Sequence, residues 1–237
     1  MELTGGGFAG VLLDWRGTLV VAPTYTWLVR TALEKLGRDT PVAEVLDRLR
    51  AADSAAARSS EVDTDAALHR AAYVAWFADA GLDDELAAVL YEVECDVALN
   101  PFAAGVGPLL RALRGAGVRI GVVSDIHVDL RPVFAAQPNP DGSTWADLVD
   151  AWALSFELGV AKPDPAIFTH ALTALGLAAS DVLMVGDRGG WDGAATDVGI
   201  TTLLLPPLRS PDERRLHRVL DLVLPGGWGA GRVTGAG

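Results

Sequence analysis

Residues 10–20, Gly10-Val11-Leu12-Leu13-Asp14-Trp15-Arg16-Gly17-Thr18-Leu19-Val20, decide how the rest of the chain is read. Val11, Leu12 and Leu13 make an apolar run too short for a helix and rich in branched side chains, which predicts a buried strand. Asp14 ends it. A carboxylate directly after a buried strand, followed by the turn-forming Gly17 and by Thr18, is rigidly held and chemically exposed, which suits a nucleophile or a metal ligand. An Asp that caps the following turn is the alternative, since Asp beside Gly-Thr is common turn chemistry.

Working outward, the chain from Phe102 onward alternates strands with helices. Helices are predicted over 107–116 and 165–175, and strands over 118–123, 150–155, 182–185 and 200–205, the last stopped by Pro206-Pro207. This alternation predicts an α/β fold, a Rossmann-like and mostly parallel sheet with right-handed crossovers. Ligands in such sheets sit at the carboxyl ends of the strands, and three of those ends carry Asp14, Ser124 and Asp187. The polar run 137–143 is expected to protrude, and the glycine-rich stretch 226–237 to form a flexible tail.

Between Pro23 and Pro101 the pattern differs. Leu28, Ala32, Leu33 and Leu36 recur at helical spacing, and Gly37 stops that helix. Further helices are expected over 42–57, 64–80 and 83–98, with Asp63 and Asp83 as N-caps and Gly81 as a stop. Residues 22–100 therefore read as an inserted α-helical domain, with Trp27, Tyr73, Trp76 and Phe77 in its core, and residues 1–21 with 101–237 as the α/β core.

Composition sets outer limits. The 237 residues can bury a substantial core, half of them are hydrophobic, and Asp and Glu outnumber Lys and Arg 31 to 19 for a net charge of −12. Such acidity argues against nucleic acid as the main partner and favours a cation over a polyanion. No apolar run approaches a membrane span. A single cysteine, Cys95, allows no intrachain disulfide, and without a recognisable signal peptide the expected location is the cytoplasm. Oligomeric state is not legible.

Gly186-Asp187-Arg188-Gly189-Gly190-Trp191-Asp192 places two carboxylates five residues apart around glycines. A loop of that kind can fold both toward Asp14 and form the oxygen-rich site that Mg²⁺ prefers, although either Asp alone could cap a helix. Lys162, in Ala161-Lys162-Pro163-Asp164-Pro165, is one of two lysines; it either neutralises a phosphate and the nucleophile or lies on the surface. Ser124 adds a hydroxyl, and the main-chain N–H groups after it could bind the same oxygens.

These stretches, in this order, resemble the four motifs of the haloacid dehalogenase superfamily of hydrolases. Asp14 with Gly17-Thr18-Leu19 is similar to the first, Val122-Val123-Ser124-Asp125 to the second, Lys162-Pro163-Asp164-Pro165 to the third, and Gly186-Asp187 with Asp192 to the fourth. The helical insert is similar to the mobile cap of one large subgroup. The resemblance implies a Mg²⁺-dependent phosphatase of a small phosphorylated metabolite. In it Asp14 attacks phosphorus, while Ser124 and Lys162 complete the catalytic set. Arg16, Thr18 and Asp125 contact substrate; Asp14, the main-chain carbonyl of Arg16, Asp187 and Asp192 hold the metal.

One position departs from the motif. Family phosphatases carry an acid two residues after the nucleophile, where this chain has Arg16, and a guanidinium cannot shuttle a proton. His127 or a residue of the cap could replace it. Aryl and acyl phosphates are then expected to be better substrates than alkyl ones. The alternatives are dehalogenation, carbon–phosphorus cleavage with Lys35 as the only lysine for a Schiff base, and a catalytically silent member that binds a ligand or partner.

Overall fold

The computed structural model describes residues 7–59 and 61–224, so the expected tail at 226–237 lies outside the described residues. Five parallel strands form one sheet: β1 (Gly10–Leu13), β2 (Arg119–Ser124), β3 (Ala151–Leu154), β4 (Val182–Gly186) and β5 (Thr201–Leu204), in the order β3-β2-β1-β4-β5. Leu13 pairs with Val122 on one side and with Val185 on the other, so β1 is the central strand. A parallel strand is covered on both faces and reads as a continuous apolar run, which is why Val11, Leu12 and Leu13 show no alternation.

The two faces nevertheless separate. Val11, Leu13, Ile120, Val122, Leu183 and Val185 pack with α5 (Val106–Gly115), α6 (Arg131–Ala135) and α9 (His217–Val223). Leu12, Val123, Val182 and Met184 pack with Ile167, Phe168 and Ala171 of α8 (Pro165–Leu175), which follows the short α7 (Ser155–Leu158) and whose predicted limits match the structure. Asp164 caps α8 and Gly176, left-handed at φ 64°, ends it.

The insert has its own hydrophobic cluster, drawn from α1 (Tyr25–Leu36), α2 (Val42–Ala51), α3 (Ala66–Asp79) and α4 (Asp84–Cys95). Tyr73, Trp76 and Phe77 are buried in it, while Trp27 packs at its margin. Its two ends meet: Val21 N–H donates to the Pro101 carbonyl at 3.0 Å and Val20 bridges Phe102.

Several boundaries shift for local reasons. Helix α2 stops at Ala51 because Asp53 turns the chain, its N–H donating to Asp79 Oδ2 and its Oδ1 accepting from Ala55 N–H. The N-cap of α3 is Asp65, whose carboxylate accepts from Leu68 N–H, and not Asp63. Helix α4 ends at Cys95 because Asp96 caps a separate turn. The segment 137–143 is held at its base, where buried Asn139 donates to Ser143 Oγ and the Thr144 carbonyl, with Pro140, Asp141 and Gly142 exposed at its tip. Among the described residues no helix is long and apolar enough to cross a membrane.

Candidate active site

The carboxyl ends of β1, β2 and β4 carry Asp14, Ser124 and Asp187 along one edge of the sheet, where Asp14 and Ser124 line a cleft and Asp187 lies beside Asp14. Asp14 continues the ladder, its N–H donating to the Val185 carbonyl at 2.9 Å. Trp15, fully buried against Phe102 and Phe134, fixes the chain directly behind it. Gly17 then turns back at φ 88°, and a methyl group there would overlap the Asp187 carboxylate, so this loop needs a residue without Cβ. Gly186 is constrained in the same way by Asp192.

The loop after β4 folds inward as its two acids suggest. Asp192 Oδ2 accepts the N–H groups of Asp187 and Arg188 at 3.0 and 2.9 Å, and its Oδ1 accepts from Lys162 Nζ at 2.6 Å. The same ammonium donates to Asp14 Oδ1 at 2.6 Å. Lys162 is thus buried between two carboxylates and is no surface lysine. One carboxylate oxygen each from Asp14, Asp187 and Asp192 can lie within 4.8 Å of one another. Asp14 Oδ2 and Asp187 Oδ1 are buried without a hydrogen-bond partner.

Burial and crowded like charge act on these groups together. Burial pushes the Asp187 carboxyl up to about 6, with Asp14 and Asp192 adding to it. Burial also raises Asp14, against the pull of Lys162. For Lys162 burial works against the charge, yet Asp14, Asp125 and Asp192 outweigh it and raise its pKa.

The cleft, of about 360 Å³, is walled by Asp14, Ser124, Asp125, Lys162, Arg188 and Trp191 from the core and by Ala57, Arg58, Ser59, Val62 and Asp63 from the insert. Arg16 also lines it, but its guanidinium is engaged by the Glu94 carboxylate at 2.9 Å and by Asn100 Oδ1 at 3.0 Å. Asp125 accepts the Lys162 N–H at 2.7 Å and so fixes one loop against another. Thr18 is fully buried and is not among the residues that line the cleft. Lys35, exposed in the last turn of α1, is not among the lining residues, which leaves carbon–phosphorus cleavage without its lysine. A larger apolar groove of about 530 Å³ beside Pro108 and Leu220 has no carboxylate in its wall.

Sequence reasoning missed three participants. Arg215 donates to the Thr18 carbonyl at 3.0 Å and props the turn after Asp14. Glu94 and Asp63 come from the insert, and no local pattern marks them, because their roles arise only when the insert lies on the core.

The chain belongs to the haloacid dehalogenase-like hydrolases, whose family model matches residues 8–196. It is a hydrolase of that superfamily. Among solved structures, a 2-haloacid dehalogenase from Pseudomonas syringae pv. Tomato DC3000 is similar at TM-score 0.62 and 21% identity, covering 91% of this chain and 98% of that one. A HAD phosphatase from Thermococcus onnurineus matches at TM-score 0.57 and 21% identity, covering 90% and 97%. A HAD family enzyme from Bacteroides thetaiotaomicron, in complex with magnesium and inorganic phosphate, matches at 0.59 and 15%, covering 86% and 97%. No curated protein sequence matches the chain.

Proposed function

We propose that this chain is a Mg²⁺-dependent phosphatase of a small phosphorylated metabolite, working through an ester on Asp14. The observation that carries the reading is the convergence of Asp14, Asp187 and Asp192 beside the Lys162 ammonium at the carboxyl edge of the sheet. A cleft of about 360 Å³ suits a small molecule.

The donor set fits a hard cation. Carboxylate oxygens are its preferred ligands, and Asp14 Oδ2 and Asp187 Oδ1 are buried and unpartnered. A buried polar atom left unsatisfied costs roughly 1–3 kcal/mol, which an ion there would relieve. Asp14 and Asp187 would hold it directly with the Arg16 carbonyl, and Asp192, whose oxygens already serve Lys162 and two N–H groups, would act from behind. Bound Mg²⁺ supplies a Lewis acid for phosphoryl oxygens.

The rest of the chemistry falls to the chain. An Asp14 oxygen forms a bond to phosphorus as the bond to the leaving oxygen breaks, and water then hydrolyses the acyl phosphate. Ser124 Oγ and Lys162 Nζ bind the equatorial oxygens where charge develops. Arg16, charged and held by Glu94, gives the leaving oxygen no proton, so aryl and acyl phosphates turn over faster than alkyl ones.

A second reading has its own support. Lys162 Nζ lies 2.6 Å from both Asp14 Oδ1 and Asp192 Oδ1, so these carboxylates are partly neutralised without any metal. On that reading Asp14 attacks carbon and a halide leaves. Steady-state assays with aryl, acyl and alkyl phosphates, each with Mg²⁺ or chelator, and with 2-haloacids in parallel, separate the two. Mg²⁺-dependent phosphate release that Asp14→Asn abolishes is the expected result; halide release that persists in chelator would replace the phosphatase by the dehalogenase.

A further inference from the structure

The hydrolytic half of such a cycle needs a base for water, and position 16 supplies none. The insert brings a carboxylate to the cleft instead. Asp63 lies on the short turn Val62–Thr64 and lines the cleft opposite Asp14, Ser124 and Lys162. Core residues hold it from behind. Ser155 Oγ donates to the Asp63 carbonyl at 2.6 Å, and His127 Nδ1 lies 3.2 Å from Asp63 Oδ1.

The hydrogen bonding sets the tautomer. An ionised carboxylate only accepts, so His127 Nδ1 carries the proton and its Nε2 faces the Cys95 thiol at 3.4 Å. His127 is 2% exposed and three residues beyond Ser124, so it sits buried at the sheet edge. Its ring stacks on His69 of the insert, with centroids 3.3 Å apart. His69 Nε2 also faces Asp63 Oδ1, at 3.9 Å, and Arg16 contributes positive charge from the same wall. Although burial would raise the Asp63 carboxyl, the hydrogen bond from His127 and the charge of Arg16 lie on the other side of the balance, and the carboxyl stays below its ordinary value.

The other lining groups are committed elsewhere. Asp14 carries the ester, Lys162 and the arginines stay protonated, and Asp125 Oδ1 is taken by the Lys162 N–H. We propose that Asp63 is the general base that activates water against the Asp14 ester, and that His127 is its positioning residue. The inference rests on the ester intermediate proposed above. In the step, the water oxygen bonds to phosphorus, the bond from phosphorus to the Asp14 oxygen breaks, Asp14 leaves as a carboxylate, and the water proton passes to Asp63 and then to solvent.

The test is pre-steady-state kinetics with p-nitrophenyl phosphate and Mg²⁺. Asp63→Asn should release one equivalent of p-nitrophenol per enzyme in a burst, then turn over about 10²-fold more slowly than wild type. Intact-mass spectrometry should find the variant carrying one phosphoryl group. The retained burst shows that the variant is folded. His127→Leu should lower the steady-state rate with the burst kept, and His127→Asn, which keeps a donor, should recover much of it. Equal steady-state rates for wild type and Asp63→Asn, a burst slowed as much as turnover, or trapping by Asp125→Asn instead would overturn the inference and leave the phosphatase standing. A wild-type enzyme that releases no p-nitrophenol would remove the phosphatase reading and this inference with it.

Discussion

Arg16 of the core and Glu94 of the insert form a fork-to-fork pair: Nη1 donates to Oε1 at 2.9 Å, Nη2 to Oε2 at 3.3 Å, and Nη2 also to the Glu94 carbonyl at 3.2 Å. Planar guanidinium and carboxylate match in this way, and Glu94 is 5% exposed while Arg16 keeps 24% of its side chain in solvent, so the pair is bidentate and its acid is desolvated. The residue that replaces the usual acid is therefore a tie between the two parts of the molecule.

Breaking that tie on one side leaves a buried charge alone. Glu94→Ala should cost on the order of 3 kcal/mol in urea unfolding. Arg16→Asp should lose stability by a similar amount, because it sets a carboxylate against Glu94. The double variant Arg16→Asp with Glu94→Arg should recover most of the loss. Additive losses in that double-mutant cycle would show that the two side chains do not interact.

Lys162→Met removes the one ammonium between Asp14 and Asp192 and should destabilise the protein by about 3 kcal/mol. In its place a cation is the natural counter-charge. The thermal midpoint of the variant should rise more steeply with added Mg²⁺ than that of wild type, since a ligand bound only by the folded state stabilises it. A midpoint indifferent to Mg²⁺ in both proteins would count against the metal.

Gly17→Ala combines two penalties, a left-handed backbone costing about 1–2 kcal/mol and a methyl group that displaces Asp187. The expected outcome is a protein that still folds but binds Mg²⁺ weakly, measured by calorimetric titration. Unchanged affinity would mean that Asp187 is not a ligand.

Burial, with the stacked His127 adding to it, pushes the His69 imidazole down to about 3 from the ordinary 6.5. Between those values the unfolded chain binds a proton that the folded chain refuses, so stability falls as pH drops through the window and is fully present above it. His69→Phe, which keeps an aromatic ring on His127, should flatten that part of the pH–stability curve. Urea midpoints measured across the window check this, and an unaltered slope would assign the acid sensitivity to other groups.

Much of this was legible because strand ends and glycine turns are local. Asp14 after an apolar run, the Asp187 and Asp192 spacing and the proline-stiffened start of α8 each carry their meaning within a few residues. What pairs across the molecule was not legible. Asp63 read as a helix cap because nothing in its neighbourhood shows that the turn before α3 faces His127, and Arg16 read as a substrate contact with no sign of Glu94, its partner 78 residues away.

The joined stem at Val20–Val21 and Pro101–Phe102 makes the insert exchangeable. A segment that leaves and re-enters at one point can be lengthened, replaced or lost over evolution without shifting the register of the sheet. Because Glu94 and Asp63 ride on it, swapping this segment between relatives would transplant the clasp on Arg16 and the carboxylate facing Asp14 together. Selectivity and water activation would then be inherited as one unit, separately from the nucleophile.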